Sequence, residues 1–290
     1  MRIDRDNGHD GAVPVITECL FRAVDNQKNL DDSLKRLNKE LRLKRSPCTT
    51  VLPEQNYKLL LTNKPNVPDN ELAAALSWQV KDLIDQPVDE TTFEVFPAPP
   101  AADITEPESS YVVAAKNEAI QNCITPLVNA NINLQCIDIR EMALRNLTML
   151  MPSSEESVIM LWLSETFGTL IIARDGDIYL SRPLSMGLRD LGEGPHQSHN
   201  IDALILEIQR SLDFHESRYQ SNRISRIMLA PGITERCAPL AATIRETLAI
   251  GTDTFNLDEY IRHDTPLPEN WQTDFFIAVG AALRKEGKAA

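Results

Sequence analysis

Residues able to do chemistry are sparse in this chain, and none falls into a strong pattern. His196-x-x-His199 has the spacing of half a metal site, but a Gly/Pro/Ser-rich stretch surrounds it and offers no third ligand, so a solvated loop is expected. Asp213, His215 and Glu216 supply acid–base groups near the end of a predicted helix, where ordinary helix-surface polarity accounts for them. Asp175-Gly176-Asp177 could meet a cation, yet a tight hairpin turn uses the same residues. The sequence has no G-x-x-x-x-G-K-[ST] loop and no G-x-G-x-x-G fingerprint. No serine, histidine and aspartate stand in an order that singles out a hydrolytic triad. Cys19, Cys48, Cys123, Cys136 and Cys237 are scattered without a Cys-x-x-Cys pair, which fits reduced thiols filling a core.

Bulk properties narrow the function classes. With 290 residues the chain can bury a substantial core in one large or two medium units. It carries 29 basic and 42 acidic side chains, a formal charge of −13. That charge argues against nucleic acid as a partner, and against unaided adhesion to an anionic membrane. The opening Met1-Arg2-Ile3-Asp4-Arg5-Asp6 is too polar for a signal peptide, and no apolar run reaches membrane-spanning length, so a cytoplasmic protein is expected.

The elements that would position any site follow from periodicity. Asp6-Asn7-Gly8-His9-Asp10-Gly11 has the composition of a turn between strands, but only Met1-Arg2-Ile3 precedes it, which suggests that the first strand of the fold is missing. Leu30, Leu34, Leu37 and Leu41 mark an amphipathic helix, followed by short strands at 48–52 and 57–62. Leu72, Leu76, Val80 and Leu83 give a second apolar stripe, with Trp78 beside it and Pro87 as the stop. Thr91 to Phe96 alternates like a half-buried strand, and the four prolines of 97–107 make a loop of mobile composition. Strand, helix, strand, helix then lead to Met151-Pro152-Ser153-Ser154, the best boundary between units. Three close strands follow (158–163, 168–173 and 178–182), then a loop over 187–200, a long helix, a strand ending at Pro231-Gly232, a helix over 235–248 and a last helix over 274–285. The order is a coarse duplication with an insertion in the first copy: residues 1–150 with an inserted unit at about 53–115, then 151–290.

This order, with the acidic-aliphatic helix and proline exit from Glu71 to Glu90, Ile137-Asp138-Ile139 before the Arg140 helix, Glu207 to Phe214, Ile227 to Gly232 and Ala278 to Arg284, resembles the PilM family. These are actin-like cytoplasmic proteins of type IV pilus machines. Pro14 to Cys19, Cys48 to Leu52 and Lys81-Asp82-Leu83 are similar to a divergent MshI-type branch, which serves the mannose-sensitive haemagglutinin (MSHA) pilus. The resemblance implies an α/β, actin-like (ribonuclease H-like) duplicated fold with an inserted α+β subdomain.

It also implies where a nucleotide would sit. One phosphate loop should come from the first hairpin, which is cut short. The second falls on Trp162 to Gly168, where Glu165 adds negative charge and Phe167 adds bulk. The adenosine turn falls on Ala230-Pro231-Gly232, where Pro231 lacks a backbone donor. Ser164, Thr166, Gly168 and Gly232 are then remnants of a nucleotide cleft. The expectation is no enzyme, no metal, no cofactor and at most weak ATP/Mg binding; the alternative is an ATP-binding actin-like ATPase of the pilus or type II secretion machinery. The implied role is a scaffold at the inner membrane that holds the cytoplasmic tail of a membrane-anchored PilN/MshJ-like protein beside other pilus platform components. Tyr57, Leu59, Leu72, Leu76, Trp78 and Leu83 are the expected walls of the partner groove, with Trp78 and Leu83 as apolar anchors.

Overall fold

A computed structural model of the chain describes residues 1–4, 13–24, 27–192, 194–220, 223–231 and 236–284. The predicted turn at 6–11 and Gly232 lie outside these residues. The first half begins with β1 (Arg2–Asp4), β2 (Val15–Glu18), helix α1 (Gln27–Leu41) and β3 (Cys48–Val51). An inserted run follows: β4 (Tyr57–Asn63), α2 (Asp69–Gln79), β5 (Thr91–Pro97) and β6 (Ser109–Lys116). Helix α3 (Asn117–Asn129), β7 (Leu134–Asp138) and α4 (Arg140–Thr148) complete this half. The second half holds β8 (Ser157–Leu163), β9 (Gly168–Arg174), β10 (Asp177–Leu184), α5 (Gln197–Arg218), β11 (Ile224–Ala230), α6 (Cys237–Leu248) and β12 (Thr252–Thr254). It ends with β13 (Arg262–His263) and α7 (Trp271–Ala282).

The second half is built around one five-stranded sheet in the order β10-β9-β8-β11-β12. Strand β8 is central, antiparallel to β9 and parallel to β11, and all seven of its residues are buried. A strand covered on both faces must be apolar throughout, which is why Ser157-Val-Ile-Met-Leu-Trp-Leu163 does not alternate. Ile159, Leu161 and Leu163 face a core shared with Leu204, Ile208, Leu240 and Ile244 of α5 and α6. Val158, Met160 and Trp162 face Leu144 and Leu147 of α4 and Phe276 and Val279 of α7. The β9–β10 hairpin turns through Asp175 at φ 51 and Gly176 at φ 87, as Arg174-Asp-Gly-Asp predicted.

The first half has the same plan with an interruption. Its strands form a three-stranded sheet β1-β2-β13 and a separate parallel pair β3-β7. Helix α7 packs on α4, β1 and β3, so the last helix serves the first half. Gly280 permits that crossing, since a Cβ there would lie 2.2 Å from the Ala143 carbonyl oxygen. The inserted sheet, β4-β6-β5, is antiparallel and carries α2 on one face, where Leu76, Val80 and Val112 form a small core.

Two element boundaries and one loop differ from the sequence reading. Helix α2 ends at Gln79, well before Pro87, because residues 81–83 tighten into a 3₁₀ turn and the Val80 N–H closes onto Leu76. Helix α5 starts at Gln197, inside the predicted loop. The proline-rich 98–108 loop is tied down: Arg218 meets Glu106 at 3.2 Å and Ser109 at 2.7 Å, and its carbonyl accepts the Ala102 N–H. Among the described residues no helix is long and apolar enough to cross a membrane.

Candidate functional site

The β8–β9 turn, residues 164–167, is where backbone N–H groups could cradle an anion. Three of its four N–H groups are used within the chain, Ser164 N–H by the Phe167 carbonyl. The Thr166 and Phe167 N–H groups donate to Ser164 Oγ at 3.3 and 3.1 Å, and that hydroxyl donates to the Phe167 carbonyl at 2.8 Å. Behind the turn, Leu188 and Arg189 N–H groups bond to the Ser164 and Glu165 carbonyls. Gly187 is pressed so close that a Cβ would lie 2.5 Å from the Thr166 backbone nitrogen. Ser164 and Thr166 therefore complete a packed turn, and Gly168 opens β9 where a Cβ would strike the Trp162 carbonyl at 2.8 Å. Pro231, which ends β11, is buried and its carbonyl accepts from Cys237 Sγ.

Beside this turn lies a buried polar cluster that joins the halves to the inserted run. The Arg140 guanidinium stands 4.9 Å from the Trp162 ring centre and 4.6 Å from that of Phe167. It also donates to Thr169 Oγ1 at 3.0 Å and pairs with Glu54 at 2.8 Å. Next to it the Tyr57 hydroxyl donates to Glu141 Oε2 at 2.7 Å and accepts the Arg140 N–H. Burial raises the Tyr57 phenol, and the neighbouring Glu141 carboxylate raises it further, so it remains a donor. Burial likewise raises the Glu141 and Asp138 carboxyls; Asp138 is held 3.2 Å from Arg284, which opposes the shift. Nothing local in the sequence signals the Arg140–Glu54 and Glu141–Tyr57 pairings, because the partners are tens of residues apart.

The six predicted partner residues do not form one wall. Tyr57 and Leu59 face a core with Leu52 and Ile139, whereas Leu72 and Leu76 belong to the core under α2 on the other face of the inserted sheet. Leu76 is wholly buried. Trp78 and Leu83 are open, at 63% and 56% exposure. They sit near the β4 edge, where Gln79 bonds to Thr62 and Lys58 Nζ bonds to the Leu83 carbonyl. Strand β4 pairs only with β6 among the described residues, leaving its outer backbone edge free.

The remaining candidates separate as well. His196 and His199 are exposed, and the described residues hold no cluster of three or more metal-ligating side chains. Asp213 and Glu216 are on the α5 surface, but His215 is buried between Tyr179 and Tyr219, a correction to the surface reading. Burial holds its pKa down to about 4, so it is a neutral ring in a core.

The topology defines an α/β protein with an actin-like fold: two related halves, one carrying an inserted sheet. Neither a protein-family model nor a curated protein sequence matches the chain. Among solved structures, a PilM–PilN type IV pilus biogenesis complex is similar at 21% identity and TM-score 0.66, over 88% of this chain and 84% of that one. The cytoplasmic domain of EpsL, an inner-membrane component of the Vibrio cholerae type II secretion system, has 11% identity and TM-score 0.44, over 88% and 84%. A Bacteroides thetaiotaomicron protein of unknown function with an actin-like ATPase fold has 8% identity and TM-score 0.43, over 86% and 80%.

Proposed function

We propose that this chain is a non-catalytic scaffold of type IV pilus biogenesis that holds the cytoplasmic tail of a PilN-like membrane protein. The observation that carries this reading is the closed β8–β9 turn. The Thr166 and Phe167 N–H groups are satisfied by Ser164, and the space beside the turn is filled by Arg140 between Trp162, Phe167 and Glu54. A triphosphate would have to break that set and displace buried Arg140 from half-buried Glu54, so nucleotide binds weakly or not at all and none is hydrolysed. The PilM–PilN complex, whose fold the chain shares, supports a tail-binding role. The motif details noted in the sequence favour the MSHA-type pilus and an MshJ-like partner. The protein then works in the cytoplasm, held at the inner membrane by that partner and adjoining platform components.

The tail lies along the free β4 edge, gaining backbone hydrogen bonds there and apolar contact from Trp78 and Leu83. The nearby Asp82, Asp85, Asp89 and Glu90 and the net charge of −13 suit a basic tail. Isothermal titration with Mg-ATP, and separately with the tail peptide of the partner, tests this. Peptide binding without ATP binding is the expected result. Micromolar ATP binding would overturn it and favour the ATPase alternative.

A further inference from the structure

Six of the chain's 29 basic side chains stand within the eleven residues 35–45, on a molecule whose formal charge is −13. Five of them, Lys35, Lys39, Arg42, Lys44 and Arg45, line one open hollow of about 550 Å³ together with Asn38. All five are exposed, and no acidic side chain lines the hollow. None of the five side chains has an ion-pair or hydrogen-bond partner among the described residues. Glu40, the one acid in this stretch, is held by Arg22 at 2.5 Å.

Local structure brings these cations together. Lys35, Asn38 and Lys39 share one face of α1, at three- and four-residue steps. The helix ends at Leu41, and Arg42 takes a left-handed backbone with φ 54, which turns the chain so that Lys44 and Arg45 reach the same hollow. Asn38 fixes the arrangement. Its Oδ1 accepts the Lys44 N–H at 2.9 Å, and its Nδ2 donates to the Ala130 and Asn131 carbonyls, just past α3, at 2.8 and 3.0 Å. The carboxyl end of a helix carries about half a negative charge, which offsets only a fraction of five cations. Like charges at these spacings repel, so an entering anion relieves a standing cost.

The lining sets the chemistry of that anion. Guanidinium forks match pairs of phosphate oxygens, and lysines add point charge. One phosphate ester, with a charge of about −2, would leave most of the five cations unneutralised. No aromatic ring lines the hollow, so nothing there stacks on a base. The volume is that of a small-molecule site, and an extended anionic surface would also meet the acidic remainder of the chain, which repels it.

We infer that this hollow binds a soluble ligand carrying two or more phosphate groups, recognised through those phosphates alone. It shares no residue with the β8–β9 turn or the β4 edge, and it stands independently of the scaffold reading.

Isothermal titration of the full chain with inorganic tripolyphosphate, without magnesium, tests this. Binding with Kd below about 1 mM is expected, weakening as salt is added. Arg42→Gly removes a guanidinium at a positive φ that suits glycine better than arginine. It should keep or raise the thermal midpoint while lowering affinity at least about tenfold. Arg36→Gln, exposed on the same helix but outside the hollow, should change affinity less than about twofold. Phosphatidylglycerol vesicles should leave the protein in solution on sedimentation. The inference fails if tripolyphosphate does not bind, or if Arg36→Gln weakens it as much as Arg42→Gly, the mark of diffuse attraction. It also fails if vesicles carry down the wild type but not Arg42→Gly, since a lipid surface would then be the occupant. A Mg-ATP signal abolished by Arg42→Gly belongs to this hollow and one that survives belongs to the cleft, so the two readings fail separately.

Discussion

The cleft beside the β8–β9 turn and the rim beside β4 are built in opposite senses. At the cleft, polar groups that could meet a ligand have been turned on one another: Ser164 on its own turn, and Arg140 on Glu54, Thr169 and two aromatic rings. At the rim, two large apolar side chains and a strand edge stay open to solvent. A buried charge network is costly to disturb and holds its surroundings in one arrangement, whereas exposed apolar surface gains only when something covers it. The difference teaches that one half of the molecule satisfies its polar groups internally while the inserted sheet leaves apolar surface uncovered.

The comparison can be broken most forcefully at Arg140. Arg140→Ala leaves buried Thr169 without its donor and Glu54 without its cation, and should cost about 3–5 kcal/mol in urea unfolding. A loss below about 1 kcal/mol would mean that the cleft is not sealed by this side chain. Leu76→Ala comes next, because that side chain is wholly buried under the inserted sheet. It should destabilise by about 2–4 kcal/mol, with any loss of peptide affinity following from unfolding.

His215 gives a pH signature of the second-half core. Unfolded, it takes a proton near 6.5; folded, burial aided by the Arg174 charge keeps it neutral down to about 4. Unfolding therefore takes up a proton in that window, and stability falls as pH drops from 6.5 towards 4, by roughly 1–3 kcal/mol. His215→Phe should flatten that slope in urea titrations at several pH values. The paired comparison isolates it from Glu141, whose raised carboxyl acts in the opposite direction.

The smallest stability change is expected at the rim. Trp78→Ala should alter the unfolding free energy by less than about 0.5 kcal/mol. It should nonetheless weaken tail-peptide binding about tenfold or more, as loss of an exposed aromatic anchor does. Equal affinity in wild type and variant would move the partner surface away from this edge.

Much of this was open to a reading of the chain alone. Local chemistry set the elements: the period of Leu30, Leu34, Leu37 and Leu41 gave α1, Asp-Gly at 175–176 gave the β9–β10 turn, and the unbroken apolar run 158–163 gave a strand covered on both faces. What one sequence window does not contain is the partner across space. Trp78 and Leu76 lie two positions apart on the same helix, yet one is exposed and the other sealed, because the position of the inserted sheet decides which side of α2 is covered. The Arg140 cluster draws on residues 54, 57, 140, 141 and 169, and α7 packs on α4 of the first half as well as on β8 of its own. Periodicity and turn residues act over a few positions and so are written locally. Burial, ion pairing and the matching of sheet edges depend on which distant surfaces meet, and only the folded chain decides that.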